Sequence, residues 1–114
     1  METEQTTEER KAHNEALFRE ANESVRAVQA DLGLPAGRPM PFICECDDAR
    51  CKTIVRLTQA EYEAIRAHAR RFLVAPGHDG DENLAAKYGD YDVVEKSGIA
   101  GEIAEATNPR KERG

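Results

Sequence analysis

The stretch PFICECDDARCKTIVRL, residues 41–57, predicts a β-hairpin and holds every cysteine of this 114-residue chain. Residues 41–45 are largely apolar, and residues 52–57 are rich in β-branched side chains, which is typical of strands. Two strands this close in sequence are expected to pair through a turn. The sequence therefore places three cysteines in or beside that turn: Cys44, Cys46 and Cys51.

The spacing of the three cysteines predicts a metal site rather than disulfides. Their number is odd, and a C-x-C pair could close only a small, strained disulfide ring. Charged residues stand between the cysteines, so the segment does not have the pattern of a buried apolar strand. Structural zinc takes four Cys or His ligands in a tetrahedron. We therefore predict one structural zinc ion held by these thiolates.

His78 is the predicted fourth zinc ligand. It follows Pro76-Gly77, a dipeptide typical of turns, at the end of a predicted strand over residues 71–76. Such a turn can bring the imidazole back to the hairpin. Three thiolates and one imidazole saturate the ion, which is typical of a structural rather than a catalytic site. The alternative fourth ligands are a water molecule and two carboxylates, Asp47 and Asp48.

The segment LTQAEYEAIRAHARR, residues 57–71, predicts a helix that begins at Thr58. Thr58 and Glu61 have the spacing of a capping box, and Leu57 and Tyr62 have that of a hydrophobic staple. The predicted buried face consists of Tyr62, Ile65 and Ala69.

The rest of the compact domain is predicted from short patterns. Residues 71–76 indicate a strand, residues 81–89 a short helix, and residues 91–96 a final strand. With the hairpin and the helix, these elements predict a small α+β domain over residues 41–96 that a zinc ion holds together.

An amphipathic helix is predicted over residues 9–33. Its apolar residues recur at steps of three and four positions and form one stripe: Phe18, Ala21, Val25, Val28 and Leu32. Two packing modes are open, because the stripe could lie against the protein's own domain or against a second copy or a partner helix. The proline-rich residues 34–40 predict a linker. We expect residues 1–8 to be disordered and residues 97–114 to form a mobile tail.

Charge and composition argue against several classes of partner. The chain has 16 Lys and Arg against 22 Asp and Glu, a net charge of -6, which is the wrong sign for binding nucleic acid. It contains no apolar run long enough to cross a membrane and no secretory signal, so we predict a cytoplasmic protein. No phosphate-binding or nucleophile motif occurs, so no small-molecule substrate is inferred. The expected partner is another protein, or a second copy of the chain bound through the N-terminal helix.

The string FICECDDARCKTIVRLTQAEYEAIRAHARRFLVAPGH, residues 42–78, resembles an uncharacterised family of small bacterial proteins. The shared pattern is F-x-C-E-C…C…LT-x-x-EYE…R-F-x-V-x-PGH, and the resemblance covers about residues 10–107. It implies that the family's recurring positions correspond to the four predicted ligands, Cys44, Cys46, Cys51 and His78. It implies no activity.

Together these features predict a small, non-enzymatic zinc-binding module with an interaction or regulatory role. The alternative is a thiol-based redox or metal sensor, in which oxidation of the cysteines releases the ion. A zinc-dependent enzyme is the third reading of the same site. That reading requires an open coordination position and a base such as Glu45 or His78.

Overall fold

The computed structural model describes residues 7–35, 37–78 and 83–110, and within them it has an α+β fold. In chain order the elements are α1 (Thr7–Asp31), β1 (Met40–Ile43), β2 (Ile54–Leu57), α2 (Gln59–Arg66), β3 (Arg71–Val74), β4 (Leu84–Lys87), β5 (Asp92–Glu95) and α3 (Gly98–Ala106). Strands β1 and β2 form the predicted antiparallel hairpin, and the other three strands form an antiparallel sheet in the order β3-β5-β4. The predicted α+β class is confirmed.

One apolar core joins the hairpin, α2 and the three-stranded sheet. Phe42 of β1 stacks on Tyr62 of α2 with ring centroids 4.6 Å apart, and both side chains are buried. The pairing Phe72↔Val94 brings two further buried side chains of the sheet into this core. Burial of this kind stabilises by about 25 cal/mol per Å² of apolar surface. The two sheets are therefore held against each other by packing as well as by any metal.

Helix α2 begins as its sequence predicts. The Thr58 hydroxyl accepts from the backbone N–H of Glu61 at 3.0 Å, and the Glu61 carboxylate accepts from the backbone N–H of Thr58 at 2.7 Å. This capping box satisfies two backbone donors that the first turn would otherwise leave unpaired. Tyr62 and Ile65 are buried as predicted, whereas Ala69 lies beyond the end of the helix.

Helix α1 packs against the domain through a polar face, not through the predicted apolar stripe. Of that stripe, Val28 and Leu32 are 57% and 70% exposed. The buried residues are Ala12, Glu15, Arg19, Asn22 and Gln29. Of the two packing modes left open, the helix does lie on its own domain. Of the predicted stripe, however, only Phe18 and Val25 are partly buried, and the fully buried face is mainly polar.

Backbone acceptors opposite α1 explain why polar side chains face inward. The Arg19 guanidinium donates to the carbonyl oxygens of Ala69 and Ala104, both at 2.7 Å, and lies 4.6 Å from the centre of the Phe72 ring. Carbonyls near helix ends need donors when they are buried. An apolar stripe could not supply these donors, so the guanidinium occupies the interface instead.

The predicted helix over residues 81–89 is wrong where the chain is described. Leu84–Lys87 is β4, which pairs with β5 and has a bulge between Leu84 and Ala86. The LAAK sequence favours a helix, but pairing with β5 satisfies the backbone of these residues and overrides that local preference. Gly89, at φ +83°, supports the tight connection between the two strands. Residues 81 and 82 of this prediction lie outside the described part.

The predicted tail over residues 97–114 is also corrected. Gly98–Ala106 forms α3, which packs on α1, and Ala104 is buried there. Beyond α3, Arg110 donates to the carboxylates of Glu23 and Glu63 and so ties the segment after α3 to α1 and α2. Residues 111–114 lie outside the described part. At the other end, α1 includes Thr7 and Glu8, which had been expected to be disordered, and residues 1–6 are not described.

None of the described helices combines the length and the apolar composition that crossing a membrane requires.

Candidate metal centre

The hairpin loop brings the three cysteines together by local hydrogen bonds. The backbone N–H of Cys44 donates to the carbonyl of Thr53 at 2.9 Å, which extends the hairpin pairing beyond β1. The backbone N–H of Cys51 donates to the carbonyl of Asp48 at 2.9 Å. The Asp48 carboxylate also accepts from the backbone N–H of Arg50 at 2.9 Å. Asp residues favour such turns because the side chain bonds to the backbone two residues later. The loop therefore folds back and returns Cys51 towards the start of the hairpin.

A tight turn after β3 presents His78. The backbone N–H of His78 donates to the carbonyl of Ala75 at 3.0 Å, and Gly77 has a φ of +79°. A proline followed by a glycine with positive φ is the signature of a type II turn. The buried carboxylate of Asp92, on the neighbouring strand β5, accepts from the backbone N–H of Gly77 at 3.0 Å. The sheet therefore holds the turn that carries the imidazole.

The four predicted ligand side chains converge on one point. The Sγ atoms of Cys44, Cys46 and Cys51 and a ring nitrogen of His78 all lie within 4.8 Å of one another. The Nδ1 atom of His78 is 3.6 Å from the sulfur of Cys44 and 3.6 Å from the sulfur of Cys51. Tetrahedral zinc, with bonds of about 2.3 Å to sulfur and about 2.0–2.1 Å to nitrogen, requires a sulfur–nitrogen separation of about 3.6 Å. These four residues are therefore positioned to bind a metal ion.

Burial and hydrogen bonding differ among the three thiols. Cys44 and Cys46 are each 1% exposed, and desolvation raises the pKa of both thiols. The sulfur of Cys44 also accepts from the backbone N–H of Ala75 at 3.1 Å. Cys51 is only partly buried; burial raises its pKa, but contacts with Thr53 and the neighbouring thiol lower it more, to about 7. A divalent cation at this point would favour thiolate at all three positions.

Glu45, between two of the cysteines, anchors the loop from the opposite side. Successive side chains of an extended segment point to opposite faces, so Glu45 points into the protein and is fully buried. Its carboxylate accepts from the Asn22 amide at 2.8 Å, the Tyr62 hydroxyl at 2.8 Å and the Leu73 backbone N–H at 2.9 Å. Its own backbone N–H donates to the Leu73 carbonyl at 2.7 Å. One residue thus links the cysteine loop to α1, α2 and β3.

The two alternative carboxylate ligands, and a second histidine of the domain, are not part of the converging group. The Asp47 carboxylate is 3.7 Å from the ammonium of Lys11, and that of Asp48 belongs to the loop turn. His68 lies just past the end of α2 and is exposed. From the sequence, Glu45 was interpreted as a charge between cysteines and as a base for the enzymatic reading. Its carboxylate instead points into the core, and the period of two in an extended segment could have indicated this direction.

Comparisons with protein-family models, with curated proteins and with solved structures found no match for this chain. The resemblance to a bacterial family therefore stays a prediction, and the site is interpreted from its own geometry.

Proposed function

We propose that this protein is a small, non-enzymatic module in which one structural zinc ion joins the hairpin to the three-stranded sheet, and that it binds another protein in the cytoplasm. The observation that carries the proposal is the position of the His78 Nδ1 atom, 3.6 Å from two thiol sulfurs, as zinc requires. A reducing compartment keeps such thiols free, which supports the cytoplasmic assignment.

The donor set supports a structural rather than a catalytic ion. Three thiolates and an imidazole complete a tetrahedron, so a bound ion would have no position open for a substrate. Cys44 and Cys46 are almost fully buried. Glu45 ties the cysteine loop to the core, and Asp92 holds the turn that carries His78. Metal binding to such a site adds to the free energy of unfolding.

The binding role is supported by apolar side chains that the fold leaves outside. Leu17, Val28 and Leu32 of the α1 region are 63%, 57% and 70% exposed. Large exposed apolar side chains on one surface are characteristic of protein contacts.

Metal analysis of the purified full-length protein tests the proposal. We expect one zinc per chain, and we expect Co²⁺ in place of zinc to give the intense visible absorption of a tetrahedral thiolate site. His78→Ala should lower both the zinc affinity and the melting temperature. His68→Ala removes an exposed imidazole outside the site and should change neither. A wild-type protein that carries no zinc and takes none up from solution would contradict the proposal.

A redox sensor is a second candidate because the site is open on one side. Cys51 is partly exposed and His78 is exposed, whereas the other two ligands are buried. In this reading hydrogen peroxide takes two electrons from two thiolates, which form a disulfide, and two protons convert the peroxide to two waters. Zinc release at low peroxide, reversed by a reductant, would favour the sensor, and retention of zinc would favour the structural role.

A further inference from the structure

The outward surface of the middle of α1 has an unusual composition for this chain. Seven residues are exposed between positions 14 and 30: Leu17, Glu20, Ala21, Ser24, Ala27, Val28 and Ala30. Only Glu20 among them is charged, although 33% of the whole chain is charged. Leu17 and Val28 are 63% and 57% exposed. This surface is therefore an apolar stripe on an otherwise highly charged protein, and such stripes on helices are covered by other helices.

The spacing along this surface suits a helix of the same kind. Leu17, Ala21, Ser24 and Val28 follow one another at steps of four, three and four residues, which is the spacing of a coiled-coil seam. We call these four residues the outer seam. Because the residues that face the domain are Ala12, Glu15, Arg19, Asn22 and Gln29, the seam lies on the opposite side of the helix. If two copies packed through the outer seam, their domains would lie on opposite sides of the helix pair and would not clash.

We propose that the outer seam is a homodimer interface in which the α1 helices of two copies pack antiparallel. In the register that sets Leu17 against Val28 of the partner subunit, Ala21 lies against the partner's Ser24 at the twofold axis. The large side chains then meet at both ends, and the small ones let the helices approach closely in the middle. This inference rests on the interaction role proposed above and names the partner as a second copy of the chain.

Charge favours the antiparallel over the parallel arrangement. Arg10 and Asp31 are both exposed near opposite ends of α1. In the antiparallel register Asp31 lies opposite the partner's Asn14, one turn from the partner's Arg10, so opposite charges are neighbours at both ends. A parallel pair would set each of these charges beside its own copy, and like charges repel. In the antiparallel pair the dipoles of the two helices also point in opposite directions, which is favourable.

The size of the contact indicates a weak and reversible dimer. In this register residues 14–31 overlap, a length of about 27 Å at 1.5 Å per residue. A single helix-to-helix contact of that length belongs to the smallest class of specific interfaces, which are transient. We therefore expect a dissociation constant on the order of 10 μM.

Sedimentation equilibrium of the full-length protein from about 1 to 500 μM tests the inference. The wild type should pass from monomer to dimer, and Leu17→Glu should raise the dissociation constant at least about 30-fold. Ile99→Glu is the matched control, because Ile99 is 44% exposed on α3, is not one of the four seam residues, and should leave the constant unchanged. Circular dichroism of each variant verifies that it is folded.

A charge exchange tests the register. Arg10→Asp and Asp31→Arg should each weaken the dimer several-fold, and the double variant should restore it. A wild type that stays monomeric at the highest concentration, or a Leu17→Glu variant that dimerises like the wild type, would overturn the inference. A dimer that the double variant does not restore would overturn the antiparallel arrangement. Zinc content is measured on the same samples, so a zinc-loaded monomer would reject the dimer and leave the proposed metal centre standing.

Discussion

Replacement of Glu45 by glutamine tests whether the cysteine loop depends on a buried anchor. The carboxylate accepts from three donors, which belong to Asn22, Tyr62 and Leu73, and all three residues are buried. Glutamine keeps the size of the side chain but has one oxygen and one NH₂ group. Its oxygen can still accept from the Leu73 backbone N–H, which places the NH₂ group beside the Asn22 amide and the Tyr62 hydroxyl. The hydroxyl can turn and accept, but the two amides then present donors to each other.

The size of the effect follows from that arrangement. One buried hydrogen bond is lost and a donor of Asn22 is left unsatisfied, which costs about 1–3 kcal/mol. For a domain of this length, each kcal/mol lost from the free energy of unfolding lowers the melting temperature by about 4 °C, so we expect the melting temperature to fall by about 4–12 °C. Because Glu45 lies between two ligands, the zinc affinity should fall as well. Glutamine is more informative than alanine because it leaves no cavity.

Thermal and urea unfolding followed by circular dichroism measures the loss, with and without a chelator. The matched control is Glu105→Gln, since Glu105 forms an exposed ion pair with Arg70 and its replacement should leave the melting temperature almost unchanged. Equal melting temperatures of the two variants, together with unchanged zinc affinity in Glu45→Gln, would refute the anchoring role.

Three further predictions concern the turn, the α1 interface and acid. Gly77→Ala should destabilise by about 1–2 kcal/mol and weaken zinc binding, because Gly77 has a φ of +79° that alanine adopts with strain; urea titration and competition with a zinc indicator measure both. Arg19→Met should cost about 2–4 kcal/mol, since two buried carbonyls lose their donor, and a melting temperature like that of the wild type would contradict this. Burial raises the pKa of Glu23, but hydrogen bonds from Arg110 and Arg66 lower it by more, so the pKa in the folded protein is below its usual value of 4.5. The ionised carboxylate therefore stabilises the fold above pH 4.5, and this stabilisation is lost on acidification. The stability difference between wild type and Glu23→Gln should therefore shrink as the pH falls from about 6 to below 4.5, and a constant difference would exclude this cause.

The sequence by itself determined the features that depend on near neighbours. The capping box at Thr58 and the Pro-Gly turn before His78 each involve residues within four positions, so their geometry follows from local hydrogen bonds and backbone preference. The cysteine spacing likewise restricted the chemistry, because few sites other than metal centres need three thiols so close together. The prediction of the hairpin and of the four converging side chains depended on these local patterns.

Only the tertiary structure decided which surfaces meet. The apolar stripe of α1 satisfied the helical period, yet the domain offers buried carbonyls that require a polar partner such as Arg19. The LAAK segment favours a helix, but β5 provides a strand edge and β4 pairs with it. In the sequence Glu45 is one charge among the cysteines, whereas in the structure α1, α2 and β3 surround its carboxylate with donors. In each case the free energy comes from groups distant in sequence, which a local pattern cannot contain.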